Sequence, residues 1–142
     1  PEEELEIARR VANDAMGEVQ EVASSEDLMT MKEDVKKIHI DEEVEKYIVD
    51  LIFATREPSK FGLESIEEWI MFGASPRASI DLYKSSRAQA YLRGKDFVSP
   101  VDIAYVAKSV LRHRIILSYE AEAEDITTDH IVDKVLETVA IP

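Results

Sequence analysis

Apolar residues recur every three or four positions along most of the chain, a spacing that predicts helices. Leu5, Ile7, Ala8, Val11 and Ala12 give a first helix over Glu2 to about Asn13, with glutamates in its first turn where the helix dipole favours negative charge. A softer stretch, 14–24, follows. Ser25 is then expected to cap a second helix whose apolar stripe is Leu28, Met31, Val35 and Ile38. "IHI" at 38–40 alternates briefly. Asp41 is expected to cap a third helix that buries Val44, Tyr47, Ile48, Leu51 and Ile52, and Pro58 closes that element at or just before Glu57.

The second half carries stronger punctuation. "PSKFGLESIEEWIMF" at 58–72 reads as a connection holding one helical turn around Ile66 to Ile70. Ser75-Pro76 is a helix start, because serine caps and proline fits the first helical position, where no N–H is needed. This helix runs to Gly94, a residue suited to the left-handed position past a helix end. Ser99-Pro100 repeats the device, "RIILSY" is strand-like, and Thr127 or Thr128 starts a last helix with Ile131, Val135, Leu136 and Val139 on one side. No internal repeat or low-complexity tract interrupts the pattern. The expected fold is mainly α with a few short β-strands.

At 142 residues with 45% hydrophobic and 33% charged content, the chain suits one soluble globular domain. No apolar run reaches the roughly 18 residues of a membrane span. With no cysteine there is neither a disulfide framework nor a thiolate metal site. No signal-peptide pattern is present, and a cytoplasmic location is expected. The sequence opens at Pro1, directly in helical sequence, so it is expected to be a fragment of something longer.

The net charge of −13 argues against non-specific nucleic-acid or acidic-membrane binding. Its distribution changes the picture. Residues 74–115 hold 8 Lys and Arg against 3 Asp and Glu, whereas residues 1–50 are net −10 and residues 116–142 net −6. One internal block is basic, and its plain reading is a solvated face paired with acidic neighbours.

Self-contained catalysis finds little support. The glycines are Gly17, Gly62, Gly73 and Gly94, so neither a phosphate loop of the G-x-x-x-x-G-K-[ST] kind nor a G-x-G-x-x-G turn can be written. His39, His113 and His130 lie far apart without metal-ligand spacing, no metal site is expected, and no pair of carboxylates stands out. Arg77 does stand out. With Ile80, Lys84, Arg87 and Tyr91 it shares one face of the Ser75-Pro76 helix, at the end whose free N–H groups already attract anions. A cation there needs an anionic partner: a carboxylate of the same domain, or a phosphate, which matches the guanidinium fork. Lys84 and Arg87 are expected to serve as structural salt-bridge partners.

"GASPRAS" at 73–79 resembles the sensor-2 motif of MoxR-type AAA+ ATPases. The similarity continues through "LRGKDFVSPVDI" (92–103), "VLRHRIILS" (110–118), "EAEAEDIT" (120–127) and "VAIP" (139–142), and "PEEELEI" resembles the segment entering the family's lid. Five ordered motifs make the resemblance specific, and it spans nearly the whole chain. It implies that residues 1–142 form the C-terminal lid, a helical bundle, with the ATPase core lying outside them. Arg77 then matches the sensor-2 arginine that reaches the γ-phosphate of ATP, and Ser75, Pro76 and Ala78 match its neighbours, Ala78 lying near the nucleotide. ATP and Mg2+ in the whole protein, a homo-oligomeric, hexameric ring and chaperone-like work on von Willebrand factor A domain proteins follow from the same resemblance.

The family usually crosses to the GASPRA motif by a shorter loop than 57–72, which here brings Trp69 and Phe72. Core packing is expected for both, with an adenine-side or neighbouring-subunit contact as the alternative. A helical interaction module without nucleotide function is the alternative reading, and a nucleic-acid clamp lid is disfavoured by the charge.

Overall fold

The computed structural model describes residues 2–13 and 19–142. They form two compact units that divide between Met31 and Lys32. In the first unit, helix α1 (Glu2–Ala12) follows the predicted span and buries no side chain. Residues 14–18 of the predicted soft stretch, 14–24, lie outside the described residues. Helix α2 (Ser25–Lys37) starts one residue past its cap, which is Ser24 rather than the expected Ser25. The Ser24 hydroxyl accepts from Asp27 N–H at 3.1 Å, and the Asp27 carboxylate accepts from Ser24 N–H at 2.8 Å. The Ser24 N–H first, and then the Ser24 hydroxyl donating to the same carboxylate at 2.7 Å, hold the Asp27 carboxyl below the usual range. The expected stripe on α2 is buried only at its far end: Leu28 and Met31 are exposed, Val35 is half-buried, and Ile38, just past the helix, joins the core.

The second unit holds the core. Helix α3 (Glu42–Ala54) buries Val44, Tyr47, Ile48, Leu51, Ile52 and Ala54, the face that its spacing predicts. Asp41 sits at its cap position but makes no capping bond; its carboxylate meets His39 Nε2 at 3.0 Å instead. His39 in turn bridges to Phe97, so "IHI" pairs as a single bridge rather than a strand. Two 3₁₀ turns, Pro58–Phe61 and Glu64–Trp69, fill the long connection where one turn was expected. Strand β1 (Ile70–Phe72) follows.

Helix α4 (Pro76–Leu92) ends as predicted: Gly94 takes φ +69°, its N–H reaches Tyr91 O, and Lys95 N–H reaches Ala90 O. Helix α5 (Pro100–Leu111) packs along α4, which also packs on α3. Strand β2 (Ile116–Leu117) pairs antiparallel with β1, placing Phe72 opposite Ile116. The strand-like "RIILSY" therefore contributes only two residues to the sheet. A short helix the pattern did not announce, α6 (Tyr119–Ala123), is capped by Ser118, and α7 (Thr128–Thr138) by Thr127. The architecture is mainly α with one two-stranded sheet, as expected. Its core joins Leu51, Ile66, Leu82, Ile103, Leu111 and Ile131, each essentially inaccessible to solvent.

Trp69 and Phe72 of the long connection part company. Trp69 packs against the core with its ring centroid 5.9 Å from that of His130. Phe72, expected in the core, is instead 62% exposed.

Candidate functional site

The basic block mostly answers its own charge. Arg93 and Lys95 reach Asp102 at 3.5 and 2.8 Å, Lys108 reaches Asp133 at 2.8 Å, and Arg112 reaches Asp129 at 2.9 Å. Arg114 pairs with Asp81. Arg112 and Arg114 of the "LRHR" motif are thereby assigned to ties from their loop to α7 and α4.

Lys84 and Arg87 do not behave as expected. Neither forms an ion pair among the described residues. Arg87 lies over the Tyr83 ring, 4.7 Å from its centroid, a cation–π contact in place of a salt bridge. The Tyr83 hydroxyl donates to Glu45 at 2.9 Å and so ties α4 to α3. Burial, reinforced by that bond, raises the Tyr83 pKa.

Arg77 is left without a partner. It is exposed at the second position of α4, and no hydrogen bond or ion pair holds its guanidinium among the described residues. The first turn of α4 contains no acid. Asp81, one turn on, is the nearest acid along the helix and is taken by Arg114. Ser75 occupies the N-cap position with φ −77° and ψ 166°, but its hydroxyl makes no capping bond. Ala78 N–H reaches the Ser75 carbonyl at 2.8 Å, closing the first turn. Of the four sequence-predicted site residues, Ser75, Pro76 and Arg77 thus lie exposed together at the helix mouth. Ala78 faces inward and is fully buried.

What aims this mouth is a contact that the sequence reading missed. Gly73 lies so close to the end of α3 that a Cβ there would sit 2.2 Å from the Thr55 carbonyl oxygen and 2.9 Å from Arg56 Cα. Only glycine permits that approach without movement of backbone. Thr55, fully buried, donates from Oγ1 to Ile52 O at 2.7 Å and accepts from Ala74 N–H at 2.9 Å. Arg56 Nε donates to the Ala74 carbonyl. Both polar groups of Ala74, two positions before α4 begins, are therefore held by Thr55 and Arg56, the two residues that follow α3. The available signal was a polar threonine continuing the apolar face of α3.

An N-terminal helix end with a free guanidinium is an anion-binding arrangement. Metal chemistry has no comparable seat: among the described residues, no group of three or more His, Asp or Glu is placed to hold an ion. Nor, among them, is any helix long and apolar enough to cross a membrane.

Comparison with known proteins agrees with this geometry. The AAA lid domain family matches residues 64–135, which include the whole of α4 and α5. Chaperone MoxR1 of Mycobacterium tuberculosis is 37% identical over all 142 residues, which span 37% of that protein. Protein MoxR of Methylorubrum extorquens is 33% identical over 105 residues, 70% of this chain and 30% of the relative. A crystal structure described as "a putative ATPase" from Cytophaga hutchinsonii superposes with a TM-score of 0.88 at 44% identity, covering 99% of this chain and 43% of the other. The chain thus spans between about a third and two fifths of these longer relatives. With the matched helices, the ordered motifs and the shared fold in agreement, the chain belongs to the AAA lid domain family, as a lid of the MoxR type.

Proposed function

We propose that residues 1–142 act as the lid of a MoxR-type ATPase and that Arg77 serves as its sensor-2 arginine. The observation that supports this most is the unpartnered Arg77 at an acid-free helix mouth, clamped in place by the end of α3. A lone cation at a helix N-terminus is mildly unfavourable, costing some 0.3–1 kcal/mol. A triphosphate seated in the ATPase core would reverse that sign, because guanidinium and helix dipole would then face the same anion.

Arg77 is neither acid, base nor nucleophile in this reading. It donates hydrogen bonds and positive charge toward the γ-phosphate, where charge spreads over the oxygens as the bond breaks. Ser75 and Pro76 set the helix start, and buried Ala78 anchors its first turn in the core. ATP and Mg2+, held by the core, supply the reacting group and neutralise its charge. Because the lid holds only one end of the nucleotide, its position registers whether the γ-phosphate is present. Passing that state to neighbouring subunits of a cytoplasmic, hexameric ring would drive chaperone-like work on von Willebrand factor A domain proteins.

Steady-state hydrolysis by the longer protein that carries this lid tests the assignment. A charge-assisted hydrogen bond contributes about 1.5–3 kcal/mol. Arg77→Ala is therefore expected to lower kcat by roughly ten- to a hundredfold, with a smaller effect on ATP binding. Arg77→Lys recovers part of the rate, since a point charge cannot reproduce the guanidinium fork. Lys84→Ala, two turns further along α4, changes kcat far less. Unaltered hydrolysis in Arg77→Ala together with a dead Lys84→Ala would overturn the sensor-2 assignment.

A further inference from the structure

Arg56, two residues past α3, is half-buried. It pairs with no carboxylate among the described residues, its Nε donates to the Ala74 carbonyl, and its Nη2 is buried without a partner. The guanidinium carbon lies 5.3 Å from the centroid of the Phe53 ring, a cation–π contact. A covered Nη2 and an engaged Nε leave it badly placed to receive a phosphate itself. Its neighbour Thr55 holds the other polar group of the same residue, accepting from Ala74 N–H at 2.9 Å. Gly73 admits both contacts by letting the two backbones approach.

From this geometry we infer that Arg56 and Thr55 are positioning residues for hydrolysis: they grip Ala74 from both sides and so set the direction in which Arg77 leaves α4. The inference rests on the sensor-2 reading of Arg77, but its physical core does not. A general structural contribution would spread over the fold, whereas this clamp acts on the two peptide units that flank the Ala74 Cα. Ala74 is the last residue before the cap, and the Ser75 carbonyl that follows closes the first turn with Ala78 N–H. Loosening Ala74 lets that turn fray and scatters the guanidinium.

The test reads two amides and one rate. In this chain, Arg56→Met and Thr55→Val are expected to speed hydrogen exchange at Ala74 and Ala78 by about tenfold, the scale of one lost hydrogen bond. Exchange at Leu51 and Leu82 stays unchanged. Thr55→Ser, which keeps the hydroxyl, restores protection at both sites. In the longer ATPase, Arg56→Met is expected to lower kcat about fivefold while KM for ATP moves less than twofold, the split of an interaction realised in the transition state. Arg56→Lys, which can still donate to the Ala74 carbonyl, recovers part of that loss. Arg112→Met, which breaks a pair with α7, leaves kcat unchanged. Unaltered exchange at Ala74 and Ala78 would overturn the clamp. A full rate in Arg56→Met beside a crippled Arg77→Ala would overturn its positioning role and leave the sensor-2 reading standing. A full rate in Arg77→Ala would sink the sensor-2 reading, and the positioning role with it.

Discussion

Two helices of this lid begin with the same Ser-Pro dipeptide and finish the job differently. At the mouth of α5, the third helical position is Asp102, fully buried, whose carboxylate accepts from Ser99 N–H at 3.0 Å and from the Ser99 hydroxyl at 2.7 Å. Lys95 and Arg93 then balance its charge at 2.8 and 3.5 Å. At the mouth of α4 the third position is Ala78, the Ser75 hydroxyl makes no capping bond, and the charged residue is a solvent-facing arginine. One start supplies its own anion, and the other leaves the place open. Identical local signals therefore build a structural joint in one case and a receptive site in the other. The residue two positions after the proline decides between them.

The difference can be broken from the α4 side by attacking what holds the open mouth in place. Gly73→Ala should have the largest effect on stability. Its Cβ would meet the Thr55 carbonyl at 2.2 Å, backbone against backbone, with no flexible side chain to yield. A loss of about 3 kcal/mol is expected, the upper range for overpacking, read from urea unfolding of the chain. Among the described residues, no glycine supports the α5 mouth in this way.

From the α5 side, Asp102→Asn should cost on the order of 2 kcal/mol, because it removes the charge that Lys95, Arg93 and Ser99 all face. The pH dependence follows. Burial alone would raise the Asp102 pKa, but the bonds from Lys95 and Ser99 outweigh it and hold the carboxyl below its usual range. A carboxylate depressed on folding contributes its stability above the unfolded value of about 3.9 and loses it as pH falls through the folded value. Unfolding midpoints of the unaltered chain and Asp102→Asn should accordingly lie apart at pH 7 and draw together only as pH falls below about 3.9 through the lower folded value. A gap that does not narrow at all as the chain is acidified below about 3.9 would mean that Asp102 acts through its shape rather than its charge.

Much of this contrast was legible in the sequence, and the remainder fails for identifiable reasons. Both Ser-Pro starts, the Gly94 stop and the buried face of α3 follow from residue chemistry and spacing, which act over one or two turns. The sequence leaves the partner of Arg77 open between a carboxylate of the same domain and a phosphate, because an acid distant in sequence can reach a helix mouth; the structure gives it no carboxylate among the described residues. The Thr55–Arg56 clamp was not legible, because it joins positions 18 and 19 residues apart and depends on how closely two backbones approach. Arg87 was expected in a salt bridge and stacks on Tyr83 instead, a choice settled by which side chains surround it. Asp41 shows the same limit at shorter range: it has the right type for a cap, yet His39 competes for its carboxylate and holds it. Phe72 was drawn outward because β1 pairs with a two-residue partner that leaves this face uncovered.

The smallest expected effect is the most direct test of the open mouth. Arg77→Ala in this chain, measured by urea unfolding at pH 7, removes a cation from a helix N-terminus and breaks no bond among the described residues. Stability should therefore stay level or rise by about 0.3–0.5 kcal/mol, as the macrodipole requires. A fall of about 1 kcal/mol or more, approaching that of Asp102→Asn, would show that Arg77 already has its anion within the lid. The two helix starts would then be structural joints of the same kind.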